Sequence, residues 1–276
     1  MNGDAKVTVI QPRHGLAGID FGELWRYREL LGFFVARDIK VKYKQTYIGV
    51  AWAVLQPLIT MIVFTLFFGR LAKMPSEGLP YPVFSFIGLL PWTYFATALQ
   101  FSSTSLVANS QMVKKIYFPR ALLPASSAVA ALLDLAIAMV FLVVLLAWYG
   151  MVPSGRIVWL PFFILLAFIT ALGCGLWLAA INVKYRDVQF TMPFLIQIWL
   201  FVTPVVYPSS IVPANLRFIL GLNPMAAVVE GFRWALANSP FPPAGMMAAS
   251  VAVSLLALVG GAVYFHTMEK EFADVV

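Results

Sequence analysis

Six long apolar stretches, separated by short polar or turn-rich segments, run along the chain. Each is close in length to the ~20 residues that an α-helix needs to cross a hydrocarbon core about 30 Å thick. The pattern therefore predicts an all-α integral membrane protein with six transmembrane helices. The predicted spans are residues 47–68, 83–103, 122–149, 157–181, 190–207 and 246–266, of which the fifth is the shortest.

A further helix is predicted ahead of the first span, over residues 21–40. Asp20 and Glu23 have the spacing of an N-cap residue and an acid at N3, and charged residues then interrupt an apolar run. We expect an amphipathic interface helix that lies at the membrane surface instead of crossing it. A helix packed on a soluble partner is the alternative, because periodicity does not distinguish lipid from protein as the covering surface.

The connection between the fifth and sixth predicted spans contains two short helical segments. The first is the apolar run 216–222, and the second begins at Asn223 and Pro224, which suit the N-cap and the first helical position. The second helix continues to Ala237 and, at about 20 Å, is too short to span. We expect two re-entrant helices in the outer leaflet; an ordinary interfacial loop is the alternative. Their charged residues are Arg217, Glu230 and Arg233, and the last two have i, i+3 spacing suited to an ion pair.

Composition supports a membrane location. Hydrophobic residues make up 61% of the chain and charged residues 11%, whereas a soluble domain carries about 25% charge. The net charge of +7 could suit nucleic acid, but 14 of the 19 Lys and Arg residues fall in the N-terminal segment, alternate loops and the C-terminal end. By the positive-inside rule this asymmetry predicts that both termini are cytoplasmic. We therefore interpret the basic charge as a topological signal and expect no nucleic-acid partner.

Residues suited to catalysis are scarce. The two histidines are far apart in sequence and give no metal-ligand spacing, and no glycine is followed by lysine, so a phosphate-binding loop of the P-loop type is absent from the sequence. We expect a transport subunit that is not an enzyme and binds no cofactor of its own. The single cysteine, Cys174, lies between two glycines and is predicted to be a packing residue.

Asp134 is an acid near the middle of the third predicted span. Placing a charge there costs about 2.5–3.5 kcal/mol on insertion scales, so the residue is a functional candidate. The alternative is a buried acid, neutral or hydrogen-bonded to a neighbouring helix. The spans themselves contain no basic residue to pair with it, and both interpretations remain open.

Prolines lie inside or near the start of most spans. Each interior proline frees a backbone carbonyl and kinks its helix, which favours a cavity between the helices. Aromatic residues make up 15% of the chain, and some could line a conduit in which flat ring faces slide over sugar rings. The candidates for the conduit lining are Trp52, Trp92, Tyr94, Phe95, Trp199 and Tyr207.

Five motifs occur in order at fixed places relative to the spans: KYKQTYIG at 42–49, KKIYFPR at 114–120, NVKYRDV at 182–188, TPVVYP at 203–208 and LNPM at 222–225. Together they resemble the membrane subunit of polysaccharide-exporting ABC transporters, the type-2 permeases that move O-antigen, capsular polysaccharide or teichoic acid. The resemblance covers residues 20–276, which it implies form one transmembrane domain. Residues 1–19 match nothing and are predicted to be a polar tail.

The resemblance implies a channel built from two copies of this chain, a homodimer, with two copies of a separate ABC ATPase that binds ATP and Mg. It implies a multi-pass protein of the inner membrane, with a lipid-linked polysaccharide, O-antigen first among them, as substrate. It also implies an ATPase coupling helix in the stretch 105–115 and an outer gate in the two short helices. The implied coupling residues are Gln111, Met112, Lys114, Lys115, Tyr117, Phe118 and Arg120, and the implied gate residues are Arg217, Glu230 and Arg233.

Three alternatives remain, one within the ABC class and two from other functional classes. An ABC exporter of a small lipophilic drug is the nearest, although the absence of a large outer domain favours a polymer. A secondary transporter would need coupling-ion residues and repeat symmetry, and the sequence displays neither. A membrane enzyme would need acids on a loop, and the two that qualify, Asp187 and Glu230, each lie near a basic residue suited to pairing.

Overall fold

The computed structural model describes residue 22, residues 26–44, residues 49–269 and residue 272. Within these residues the chain is 81% helical with no strand, which confirms the all-α prediction. The predicted polar tail and the capping pair Asp20 and Glu23 lie outside the described residues. The helices are α1 Arg28–Tyr43, α2 Gly49–Leu71, α3 Tyr81–Ala108, α4 Ser110–Lys115, α5 Leu122–Trp148, α6 Leu160–Lys184, α7 Val188–Val202, α8 Arg217–Gly221, α9 Pro224–Ala237 and α10 Ala244–Met268.

Five of these helices are long and apolar enough to cross a membrane: α2, α3, α5, α6 with the 3-10 turn that precedes it, and α10. The fifth predicted span corresponds to α7, which has 15 residues and is shorter than the other five. It ends at Val202, five residues before the predicted end, because Pro204 disfavours helical geometry at the residue before it. Thr203 accordingly has extended backbone angles, φ −89° and ψ 139°.

Helix α3 forms the centre of the bundle. In its most apolar stretch 78% of residues are buried, against 17–39% in the other four long helices. It packs on α5, α6 and α9, and its side chains Phe84, Ile87 and Leu90 are fully enclosed. A single helix covered on almost all sides fixes the positions of the helices around it.

Helices α6 and α10 approach each other until their backbones touch. A Cβ atom added at Gly261 would lie 2.3 Å from the Gly173 carbonyl oxygen, and one added at Gly173 would lie 2.5 Å from the Leu258 nitrogen. Small residues allow such contact in membranes, where association depends on close packing instead of on the hydrophobic effect. Gly173 and Gly261 are therefore packing residues.

Helix α1 falls on the predicted interface helix and ends at Tyr43, three residues beyond the predicted end at residue 40. Phe34 is buried against Phe118, with ring centroids 5.6 Å apart. Further along α1, Asp38 accepts a 3.0 Å hydrogen bond from Ser126, and Lys42 contacts Asp134, about two turns deeper in α5. Helix α1 thus runs along α5 as part of the bundle.

Helix α9 begins where the sequence predicted. The Asn223 side chain accepts a 3.1 Å hydrogen bond from the Met225 backbone N–H, and Pro224 occupies the first turn. The helix ends at Ala237, and the next residue, Asn238, has left-handed backbone angles. Residues Met225 to Phe232 are buried throughout, so α9 is an internal helix packed on α3 and α6. That burial was not predicted.

We predict that Gly261→Ala lowers the melting temperature of the purified chain in detergent by roughly 3–10 °C, because an added methyl group must displace the Gly173 backbone at a cost of about 1–3 kcal/mol. The matched control is Gly245→Ala in the same helix, where the nearest atom to an added Cβ is 4.0 Å away. Equal melting temperatures for the two variants would show that the α6–α10 contact is not tight.

Candidate functional site

Asp134 has both carboxylate oxygens occupied. The Lys42 ammonium pairs with Oδ2, and the Tyr43 hydroxyl donates to Oδ1. Both partners come from the last turn of α1, which lies outside the predicted spans. Asp134 is therefore paired although the predicted spans contain no basic residue. Burial, and after it the hydrogen bond to Asp134, raise the pKa of Tyr43, which therefore remains a protonated donor.

A cavity of about 430 Å³ lies beside this Lys42–Asp134 pair. It lies between α1, α2, α3 and α5, and its walls combine aromatic rings, an amide, hydroxyls and the ion pair. We call it the first cavity. Its polar and aromatic lining residues are Lys42, Tyr43, Trp52, Gln56, Thr93, Tyr94, Thr97 and Asp134. Such a lining offers many weak contacts, flat ring faces and scattered polar groups alike, instead of one strong binding group.

The six aromatic residues predicted to line a conduit lie in different parts of the structure. Trp52, which is 50% exposed, and Tyr94 both line the first cavity. Phe95 is buried and contacts Trp199 at 4.9 Å and Trp92 at 5.6 Å between ring centroids. These three belong to the packing between α3 and α7.

Tyr207 lies in the segment that follows α7. Its hydroxyl donates to the Val202 carbonyl at 3.3 Å, across the end of that helix. The structure therefore brings two of the six predicted aromatic residues, Trp52 and Tyr94, to one cavity within a single chain. The role of the set in a conduit stays a prediction.

The basic loop between α3 and α5 contains α4, six residues long. Four of the seven predicted coupling residues, Gln111, Lys114, Lys115 and Tyr117, are exposed, Tyr117 by 80%. Met112 is half-buried. The other two anchor the loop: Phe118 packs on Phe34 of α1, and the Arg120 guanidinium donates to the Glu269 carbonyl just beyond α10. The loop thus presents a basic face on a fixed base.

A polar network connects α4 to α1 and α5. Asn109, which precedes α4, accepts a 2.9 Å hydrogen bond from Arg37, and Arg37 also pairs with Asp38 at 2.8 Å. Asp38 in turn accepts from Ser126 at the start of α5. The sequence analysis missed this network, because its members are 72 and 88 residues apart and no local pattern connects them.

Arg233 is completely buried at the other end of α3. Its guanidinium donates to the carbonyls of Pro204 and Val205, both at 2.6 Å, and to that of Phe84 at 3.4 Å. It also lies 3.6 Å from the centre of the Phe84 ring. A single side chain therefore joins α9, the start of α3 and the irregular segment after α7.

Glu230 completes this cluster. It pairs with Arg233 at 3.3 Å, which confirms that these residues can form an i, i+3 ion pair, and it accepts a 3.0 Å hydrogen bond from the Ser209 backbone N–H. Burial raises the pKa of Glu230, and the Arg233 charge opposes that shift. Arg217 lies apart, donating to the carbonyls of Val212 and Ser210. The three predicted gate residues therefore do not form one cluster.

A model of the ABC-2 type transporter family matches residues 29–237, from the second residue of α1 to the end of α9, and so includes the first cavity, the basic loop and the Arg233 cluster. The chain belongs to the ABC-2 type transporter family. This confirms the resemblance seen in the sequence motifs. Together with its five helices of spanning length, membership makes this ABC-2 chain a multi-pass membrane protein.

Named relatives of this ABC-2 chain align along most of its length. It is 32% identical over 255 residues to the O-antigen export system permease protein RfbA of Myxococcus xanthus, covering 91% of this chain and 97% of that protein. It is 28% identical over 249 residues to the protein of the same name from Klebsiella pneumoniae, covering 90% and 95%. Similarity to the polysialic acid transport protein KpsM of Escherichia coli is weaker, 23% over 199 residues, covering 70% and 76%.

We predict that Arg233→Lys destabilises the chain strongly although it preserves the charge. Lysine lacks the planar fork that reaches several carbonyls at once, and each buried carbonyl left without a donor costs about 1–3 kcal/mol. Thermal unfolding in detergent measures the loss, with Arg217→Lys as the matched control because Arg217 is only partly buried and bonds two carbonyls. A melting temperature for Arg233→Lys equal to that of the control would contradict this role.

Proposed function

We propose that this ABC-2 chain is the membrane-spanning subunit of an ATP-driven exporter of lipid-linked polysaccharide, with O-antigen as the first candidate. The observation that carries this proposal is the 32% identity over 91% of the chain to a protein named an O-antigen export system permease. The weaker similarity to a protein named for polysialic acid transport favours a polymer substrate over a small drug.

We propose that the chain crosses the inner membrane six times, with both termini in the cytoplasm. Helix α7 is about 22 Å long and would reach across most of the hydrocarbon core. The buried segment 203–209 would complete the crossing, since irregular backbone is tolerated at membrane depth where protein covers it. In this topology α8 and α9 form the re-entrant pair at the outer end.

Export by this ABC-2 chain would require further subunits. We propose a homodimer in which a second copy covers part of the exposed apolar surface, for example Phe190 and Phe194 of α7, which are 75% and 64% exposed in the single chain. Two copies of a separate ABC ATPase, holding ATP and Mg, would dock on α4. The exposed lysines of that helix and the anchored base beneath them suit a docking surface.

The first cavity suits a sliding substrate. Trp52, which is 50% exposed, offers a ring face, and Gln56 with the threonines of α3 offers weak hydrogen bonds. A polymer longer than the bilayer is thick must move past every position, so many weak contacts serve it better than one tight site.

We predict that cells lacking this chain accumulate lipid-linked polysaccharide on the cytoplasmic side of the inner membrane and lose it from the cell surface. Fractionation and glycan staining measure both quantities, and the wild-type gene should restore surface glycan. The control is a strain lacking an unrelated ABC permease. Unchanged surface glycan together with new sensitivity to lipophilic drugs would overturn the proposal in favour of drug export.

We predict that the double variant Lys114→Glu, Lys115→Glu binds the partner ATPase more weakly or separates ATP hydrolysis from export. Each exposed charge contributes only a fraction of a kcal/mol, on the order of 0.2–1, so both must change. Co-purification and ATPase assays measure the effect. The matched control reverses two charges at the other end of the bundle, Arg70→Glu with Lys73→Glu, and normal export by the first pair would refute the docking role of α4.

A further inference from the structure

A second cavity, also about 430 Å³, adjoins the first. It lies between α1, α3 and α5, and Lys42 and Tyr43 line both cavities. The Lys42–Asp134 pair therefore stands where the two cavities meet. The remaining walls of the second cavity include a second cation, Arg37, and the side chains of Thr104 and Asn109.

The second cavity lies near one face of the membrane. Lys42 precedes the first span by seven residues, Asn109 directly follows α3, and Ser127 lies in the second turn of α5. These three positions belong to consecutive crossings and meet at the same end of the bundle. In the proposed topology this end is cytoplasmic, and the second cavity extends from it along α5 as far as Ala131.

The second cavity offers cationic N–H donors to an anion. Arg37 and Lys42 carry two positive charges, which are balanced by Asp38 among the lining residues and by Asp134, the partner of Lys42. An ammonium has three N–H donors and the contact with Asp134 Oδ2 occupies one of them, so Lys42 can bond a second acceptor. Phosphate oxygens are well matched to such charge-assisted donors.

Part of the wall is apolar. Val41 and Phe101, which are 77% and 51% exposed, line the second cavity together with Ala130 and Ala131. The Lys42 ammonium lies 5.6 Å from the centre of the Phe101 ring. Cations beside an exposed apolar wall suit a ligand that has a phosphate at one end and a hydrocarbon chain at the other.

We propose that the second cavity binds the phosphate or diphosphate headgroup of a lipid through Lys42 and Arg37, with Lys42 shared between the headgroup and Asp134. Two sources have this chemistry: the lipid carrier of the exported polymer and an anionic phospholipid of the bilayer. Assignment to the carrier rests on the proposed function, whereas the binding itself does not.

Binding is measured with the purified full-length chain in phosphatidylcholine nanodiscs by isothermal titration calorimetry, with farnesyl diphosphate as the probe. Lys42→Gln and Arg37→Gln should each weaken binding about tenfold or more, because each removes a charge-assisted donor. Lys40→Gln is the matched control: it removes the same charge from an exposed position on the same helix that does not line the cavity. It should stay within about twofold of wild type.

Asp134→Asn gives a change in the opposite direction. It frees Lys42 from its carboxylate partner, so farnesyl diphosphate should bind several-fold more tightly, a result that misfolding would not produce. Lys42→Arg keeps the charge and should retain binding, which guards against loss of structure in Lys42→Gln. Equal weakening by Lys40→Gln and Lys42→Gln, weaker binding to Asp134→Asn, or no saturable binding to wild type would overturn the proposal.

Other ligands distinguish the sources of the headgroup. Farnesol lacks the phosphate and inorganic pyrophosphate lacks the chain, so both should bind at least about tenfold more weakly, and equal binding of either would overturn the proposal. Tighter binding of farnesyl diphosphate than of dioctanoyl phosphatidylglycerol would support the carrier as ligand, and the reverse order would support a bilayer phospholipid. No step of this assay involves export. The binding result therefore stands whether or not the export experiment supports the proposed function.

Discussion

The Arg233 guanidinium satisfies backbone groups that no helix can satisfy. Pro204 interrupts the helical pattern after α7, and the carbonyls of Pro204 and Val205 are buried where water does not reach them. An unsatisfied buried carbonyl costs about 1–3 kcal/mol, and a guanidinium, with five donors in a fixed fork, can bond several carbonyls together. Glu230 offsets the buried positive charge, and the whole irregular segment is thereby held against α3 and α9.

The second ionic cluster lies near the opposite end of α3. Asn109 follows Phe84 by 25 positions, which corresponds to about 37 Å along a helix. At this end Arg37 bonds Asn109 at the end of α3, Asp38 bonds Ser126 near the start of α5, and Lys42 pairs with Asp134 further along α5. Because α4 follows Asn109 directly, a displacement of α4 would reach the cavities through contacts that are already in place. The proposed ATPase docking site and the proposed headgroup site share one network.

Much of the helical framework could be predicted from the sequence. Membrane spans are recognised as long apolar stretches, and Asn223-Pro224 is a local signal for the start of α9. The buried face of each helix could not. In a membrane protein apolar residues cover lipid-facing and protein-facing sides alike, so periodicity does not show that α9 is internal. The partners of Asp134 and Arg120 lie 92 and 149 residues away, at distances that no local pattern records. Pro204 was a local signal for the early end of α7. The signal was missed because the sequence remains mostly apolar after Val202, up to residue 207.

The two ionic clusters differ in how readily they can rearrange. Arg233 and Glu230 are shielded from solvent, with side-chain exposures of 0% and 3%, whereas those of Lys42 and Asp134 are 34% and 16%. Separating Arg233 from Glu230 would leave two unpaired charges in a medium of low dielectric constant. Lys42 and Asp134 are more exposed, so each can exchange its partner for water or a ligand. The ionic contacts at the Arg233 end of the bundle are consequently harder to separate than the Lys42–Asp134 pair. If the proposed ATPase moves α4, the helices would be expected to part first at the Lys42–Asp134 end.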